Sequence, residues 1–63
     1  MWEELAFENI HEGDIIRETL SDGEIVAAGR TKTFSPGRAY DTWEFEDGTE
    51  IYGFGKSTFE RLT

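Results

Sequence analysis

Cysteine is absent from this chain, which removes a disulfide framework, a thiolate nucleophile and a sulfur-ligated metal site together. Histidine and proline occur once each, at His11 and Pro36. A lone histidine beside Glu12 and Asp14 does not complete a zinc site, which takes four nitrogen or sulfur ligands. His11 therefore reads as a surface residue of a polar loop, and no metal or cofactor is expected. No apolar run approaches the ~20 residues that span a bilayer, and no signal-peptide core is present. The expectation is a soluble, cytoplasmic protein without membrane contact. Bases are scarce as well: six Lys and Arg against fourteen Asp and Glu give a formal charge of −8. That balance opposes direct binding to DNA, RNA or an anionic membrane.

What remains is short and aromatic. Sixty-three residues leave room for one domain, spanning residues 1–63, and a chain this small buries only roughly 60% of the surface its unfolded form exposes. With no covalent staple, stability must come from a compact core, which two Trp, two Tyr and five Phe can supply.

Two Asp-Gly steps, Asp22-Gly23 and Asp47-Gly48, each lie between residues of strand character, a strong short-range signal for a tight hairpin. They predict four strands, near residues 13–20, 24–34, 41–46 and 49–54. In the second hairpin, Thr42-Trp43-Glu44-Phe45-Glu46 alternates polar with aromatic, so Trp43 and Phe45 point inward. A three-residue loop Glu46-Asp47-Gly48 with Gly48 left-handed sets Phe45 opposite Thr49 and Trp43 opposite Ile51. A two-residue turn would oppose Trp43 to Tyr52 instead and divide the apolar set between the two faces, so the first register is preferred. Ser35-Pro36-Gly37-Arg38 is a turn cluster expected at a sheet edge. Ser57-Thr58-Phe59-Glu60 fits a capping box and predicts a short C-terminal helical turn. Met1–Glu8 suits either a helical turn or a strand.

These elements make an all-β fold, a small barrel of four to five antiparallel strands. Phe7, Ile10, Gly13, Asp14 and Ile16, spaced Phe-x-x-Ile-x-x-Gly-Asp-x-Ile ahead of a hairpin, resemble the entry to SH3-like small barrels, including the KOW-type domains of transcription and ribosomal proteins. The resemblance covers roughly residues 7–54. It departs from the KOW pattern in its glycine spacing after Gly13 and in its acidic charge. What it implies is an SH3-like architecture that commonly serves as a binding module.

Catalytic groups are hard to find. Gly55-Lys56-Ser57 matches the end of a phosphate-binding loop, but the first glycine of that motif would fall at Glu50 and no room remains for its helix. Carboxylate pairs such as Glu44 with Glu46 or Glu50 need an apolar cleft to separate their pKa values, and acids on a strand face usually only solvate it. No enzymatic activity is expected.

Aromatic and charge patterns give the binding candidates. With Trp43, Phe45 and Ile51 inward, Tyr52 and Phe54 fall on the opposite face and Tyr40 flanks the same loop; exposed Tyr with Arg is the composition of binding hot spots. Alternatively, Phe54 and Phe34 close the ends of the barrel. Residues 1–24 carry net −7, residues 25–40 net +3 and residues 41–63 net −4, so Arg30, Lys32 and Arg38 form a basic island. On an edge strand such bases also discourage aggregation.

The leading expectation is a non-enzymatic module that binds a protein partner, of the kind found as accessory or regulatory factors in bacteria or phages, using Tyr40, Tyr52, Phe54, Arg30, Lys32 and Arg38. A second is a nucleic-acid mimic, in which Glu44, Glu46, Asp47 and Glu50 imitate a row of phosphates and occupy the basic groove of a DNA-binding protein. A third is a structural subunit that forms homo-oligomers through sheet edges.

Overall fold

The computed structural model describes all of Met1–Thr63 and contains six antiparallel strands with almost no helix. In chain order these are β1 (Trp2–Leu5), a single 3-10 turn (Phe7–Asn9), β2 (Ile15–Thr19), β3 (Ile25–Ser35), β4 (Thr42–Phe45), β5 (Glu50–Tyr52) and β6 (Thr58–Leu62). The strand order across the sheet is β1-β6-β2-β3-β4-β5. The class is all-β, as expected, and the sheet curls into a barrel-like fold. No helix is long and apolar enough to cross a membrane.

Both Asp-Gly steps build the same loop. Gly23 and Gly48 sit at φ +89° and +90°, where a side chain is disfavoured, and Leu20 and Phe45 donate their N–H groups to the carbonyls of Glu24 and Thr49. Asp22 and Asp47 turn a carboxylate oxygen back to the N–H of the residue two further on, at 2.9 Å in each case. The second loop fixes the register Trp43 opposite Ile51 and Glu44 opposite Glu50, which is the register preferred from the sequence. Trp43, Phe45 and Ile51 all enter the core, at 7%, 1% and 0% exposure.

Ile10, Ile16 and Phe59 complete that core, with Leu5, Phe7 and Ala27 packed against it. Phe7, Ile10 and Ile16 thus do apolar work, while Gly13 at φ +89° makes the turn before β2. The eleven-residue β3 serves two halves of the sheet: Ile25–Arg30 pairs with β2, and Thr31–Ser35 pairs with β4. At its bend Thr31 is buried, and its hydroxyl donates to the His11 carbonyl at 2.7 Å. Its backbone N–H donates to the Asp14 carbonyl, so one residue clips the entry loop to the bend.

Three expectations are corrected. The C-terminal segment is strand β6, not a helical turn, because β1 and β2 offer ladders on both of its sides and alternation sends Phe59 into the core. Two unsatisfied strand edges outweigh one side-chain cap. Trp2–Leu5 is also a strand, so there are six in all, not four or five, and pairing of Met1 with Thr63 joins the termini. Finally, β3 does not end the sheet: in the strand order it lies between β2, which pairs with its Ile25–Arg30 half, and β4, which pairs with its Thr31–Ser35 half, and the strands at the two ends are β1 and β5.

Beyond the core, Arg17 links three strands. Its guanidinium lies 4.2 Å from the centroid of the Trp2 ring on β1, and its Nε donates to Glu60 on β6 at 2.7 Å. Arg61 reaches Glu3 at 3.3 Å and Asp14 at 3.5 Å. These partly exposed pairs each contribute about 1 kcal/mol or less, but all of them stitch the β1-β6-β2 half of the sheet. The β4–β5 half has none.

Candidate aromatic docking face

Continuation of the β4–β5 register positions the aromatic residues. Thr42 stands opposite Tyr52, and the next rung is made by the Gly53 N–H donating to the Asp41 carbonyl at 2.8 Å. One step further sets Tyr40 beside Phe54. Because Ile51 faces the core, alternation turns Tyr52 outward. The Ser35–Tyr40 loop is tightened against this end of the hairpin, with the Gly37 N–H donating to the Asp41 carboxylate at 3.3 Å. Glycine is required there, since a Cβ on Gly37 would collide with the Tyr40 carbonyl oxygen.

The rings meet as that backbone predicts. Tyr40 and Tyr52 pack edge to face at 5.1 Å between centroids, and Tyr40 and Phe54 lie tilted at 5.8 Å. All three are exposed, Tyr40 at 42%, Tyr52 at 43% and Phe54 at 73%. Phe54 therefore does not close the barrel. Phe34 is exposed too, although its ring packs on Trp43 at 5.3 Å.

Phe54 also borders a second feature. Where the end of β1 and the 3-10 turn meet the segment after β5 and the start of β6 lies a groove of about 500 Å³ lined by Leu5, Phe7, Gly53, Phe54, Thr58 and Phe59 among others. Phe7 packs edge to face on Phe59 at 5.3 Å, and the chain passes so close to the Phe7 ring at Gly53 that a Cβ would come within 2.6 Å of it. The sequence shows Gly53 as one glycine among seven. Its contact with Phe7, more than forty positions away, carries no local signal.

The charged candidates are only partly brought together. Glu44 and Glu50 face each other directly across β4 and β5, and Glu46 and Asp47 lie in the turn between these strands. None of the four makes an ion pair. The N–H and hydroxyl of Thr49 hold the Asp47 carboxyl below its ordinary pKa. Beside the rings, the negative charge of Glu50 pushes the Tyr52 hydroxyl above its ordinary pKa, helped by partial desolvation and by Tyr40. The Tyr52 hydroxyl donates to Glu50 at 3.5 Å. In the basic island, Arg30 is engaged with the Gly13 carbonyl at 2.9 Å, and Lys32 sits where the β3–β4 register slips by one residue. Arg38 lies exposed in the loop before Tyr40. No contact unites the three.

No protein-family model matches the chain, no curated protein is significantly similar to it, and no solved structure matches its fold significantly.

Proposed function

We propose that this chain is a small, non-enzymatic binding module that docks a protein partner on the face made by Tyr40, Tyr52 and Phe54. The observation that carries this reading is the packing of three aromatic side chains against one another in the open. The buried apolar core numbers only six residues, so leaving three large rings outside gives up burial worth about 2 kcal/mol for each fully buried ring. Contiguous exposed aromatic surface of this kind marks interaction sites, and Tyr combines contact area with few rotatable bonds. The adjoining groove gives the partner a concavity that starts at Phe54.

Affinity capture from the source cells, with wild type and the Tyr40→Ala/Tyr52→Ala variant as baits, tests the proposal. Both side chains are exposed, so the variant should fold. The expected result is a protein retained by wild type and lost by the variant. Equal retention would overturn the aromatic face.

The capture also separates the competing readings. A nucleic-acid mimic built on Glu44, Glu46, Asp47 and Glu50 needs the carboxylates alone and would survive loss of the tyrosines. Self-association would appear instead as concentration-dependent sedimentation. Its natural surface is the exposed apolar trio Leu20, Ile25 and Val26 beside the first hairpin.

A further inference from the structure

We infer that the segment docked on this face is basic, presenting an arginine side chain to the Tyr40, Tyr52 and Phe54 rings and to the paired carboxylates of Glu44 and Glu50. The inference rests on the docking role proposed above and specifies the chemistry of the occupant.

It starts from backbone parity. The Phe45 N–H donates to Thr49 across the hairpin, so the rungs that exchange hydrogen bonds are Phe45 with Thr49 and Trp43 with Ile51. Glu44 and Glu50 fall on the intervening rung, the non-hydrogen-bonded type in which opposite side chains approach most closely. Like charges directly opposite on such a rung destabilise a sheet. The other pair of acids set directly opposite, Glu4 and Glu60 across β1 and β6, has a cation at hand, because Arg17 takes Glu60. No cation reaches Glu44 or Glu50.

The same face continues into the aromatics. Tyr52 is one outward position beyond Glu50 on β5, and its hydroxyl leans on the Glu50 carboxylate. Tyr40 and Phe54 extend the patch from there, with the Asp41 carboxylate adjoining in sequence. A surface with two close, uncompensated carboxylates beside clustered ring faces is complementary to a guanidinium. Its edge donates hydrogen bonds to carboxylate oxygens, and its plane stacks on aromatic faces. A lysine supplies the charge without the planar fork. The −8 charge of the chain adds attraction at long range and repels acidic competitors.

An alternating glycine-arginine octapeptide, blocked at both ends, is the probe, with glycine-lysine, glycine-serine and glycine-glutamate octapeptides as controls. Titration into isotope-labelled protein should shift the ring resonances of Tyr40, Tyr52 and Phe54 and the carboxyl carbons of Glu44 and Glu50 ahead of all others. Arginine should bind more tightly than lysine, and the neutral and acidic peptides should not bind. Glu44→Gln/Glu50→Gln should weaken the arginine peptide by about tenfold, whereas the charge-matched Glu8→Gln/Glu12→Gln should leave it nearly unchanged. Shifts spread over every carboxylate, or equal losses in the two charge-matched variants, would reduce the effect to general electrostatics and overturn the inference.

The partner capture keeps the two levels apart. If Glu44→Gln/Glu50→Gln retains the protein that Tyr40→Ala/Tyr52→Ala loses, the docking face stands and the basic occupant falls. If both variants retain it, both fall.

Discussion

Thr31 and Tyr52 show what single side chains contribute to this fold and to its proposed surface. Thr31 is the one buried polar residue, and its hydroxyl satisfies a carbonyl of the entry loop. Thr31→Val keeps the shape and removes the donor, so unfolding in urea should show a loss of about 1–3 kcal/mol, with Thr31→Ser much less affected. In the sequence Thr31 stands between Arg30 and Lys32, so alternation sends it to the face opposite those bases, but its carbonyl partner on the entry loop, twenty positions away, has no local signal. Tyr52 lies at the other extreme, legible as facing away from Trp43 and Ile51 once the register was chosen, yet exposed and coupled to Glu50 in a way that only the structure displays. Titration followed at the Tyr52 ring resonances should find its hydroxyl ionising above the ordinary value near 10, and Glu50→Gln should bring it down. The raised value favours the folded state below the unfolded pKa, and that contribution is lost as pH climbs through the folded one. Stability should therefore decline slightly as pH rises from the unfolded value near 10 through the raised folded one, and less so in Glu50→Gln. Tyr52 ionising at its ordinary value, or unmoved by Glu50→Gln, would contradict the coupling.

Hairpins were the legible elements, because Asp-Gly turns act through the chemistry of two or three neighbouring residues and alternation then assigns the faces. Both loops and the Trp43–Ile51 register followed from that chemistry. The terminal segments were not legible for the opposite reason. Ser57–Glu60 has the local chemistry of a helix start, but its conformation is set by β1 and β2, which lie more than thirty positions away in the chain. The bend of β3 is likewise a tertiary matter. It brings Gly29 so close to the Phe45 ring that a Cβ there would stand 2.8 Å from it. Gly29→Ala should cost about 1–3 kcal/mol by overpacking, and the same change in a Phe45→Leu background should cost less, because the obstructing ring is gone. Additive losses in the double variant would show that the glycine serves some need other than closeness to Phe45.

At the scale of the molecule, six buried apolar side chains hold a 63-residue barrel-like sheet, so stability is concentrated in very few groups. Truncation of Trp43 to Ala should remove about 3–5 kcal/mol, much of what so small a domain has, and unchanged thermal unfolding would place Trp43 outside the core. The two halves divide the charges: Arg17 and Arg61 make ion pairs in the β1-β6-β2 half, while the β4–β5 half makes none, its inward Trp43, Phe45 and Ile51 supplying half of the core and its outward rings forming the proposed docking surface. Composition alone pointed to a binding module by elimination. It took the hairpin register to gather Tyr40, Tyr52 and Phe54 onto one face and to set Glu44 against Glu50, while the groove beside them depends on the meeting of Phe7 with Gly53.

Photo-crosslinking at Phe54 tests that division most directly, because this side chain is the most exposed of the three rings and makes few contacts that the fold needs. A benzophenone amino acid at position 54, activated in the cells that produce the protein, should yield one dominant adduct with a second protein. The same group at His11, exposed in the entry loop, should yield none. Equal adduct patterns from the two positions, no adduct at position 54, or an adduct only with another copy of this chain would contradict the assignment of the Tyr40, Tyr52 and Phe54 face as the docking surface for a protein partner.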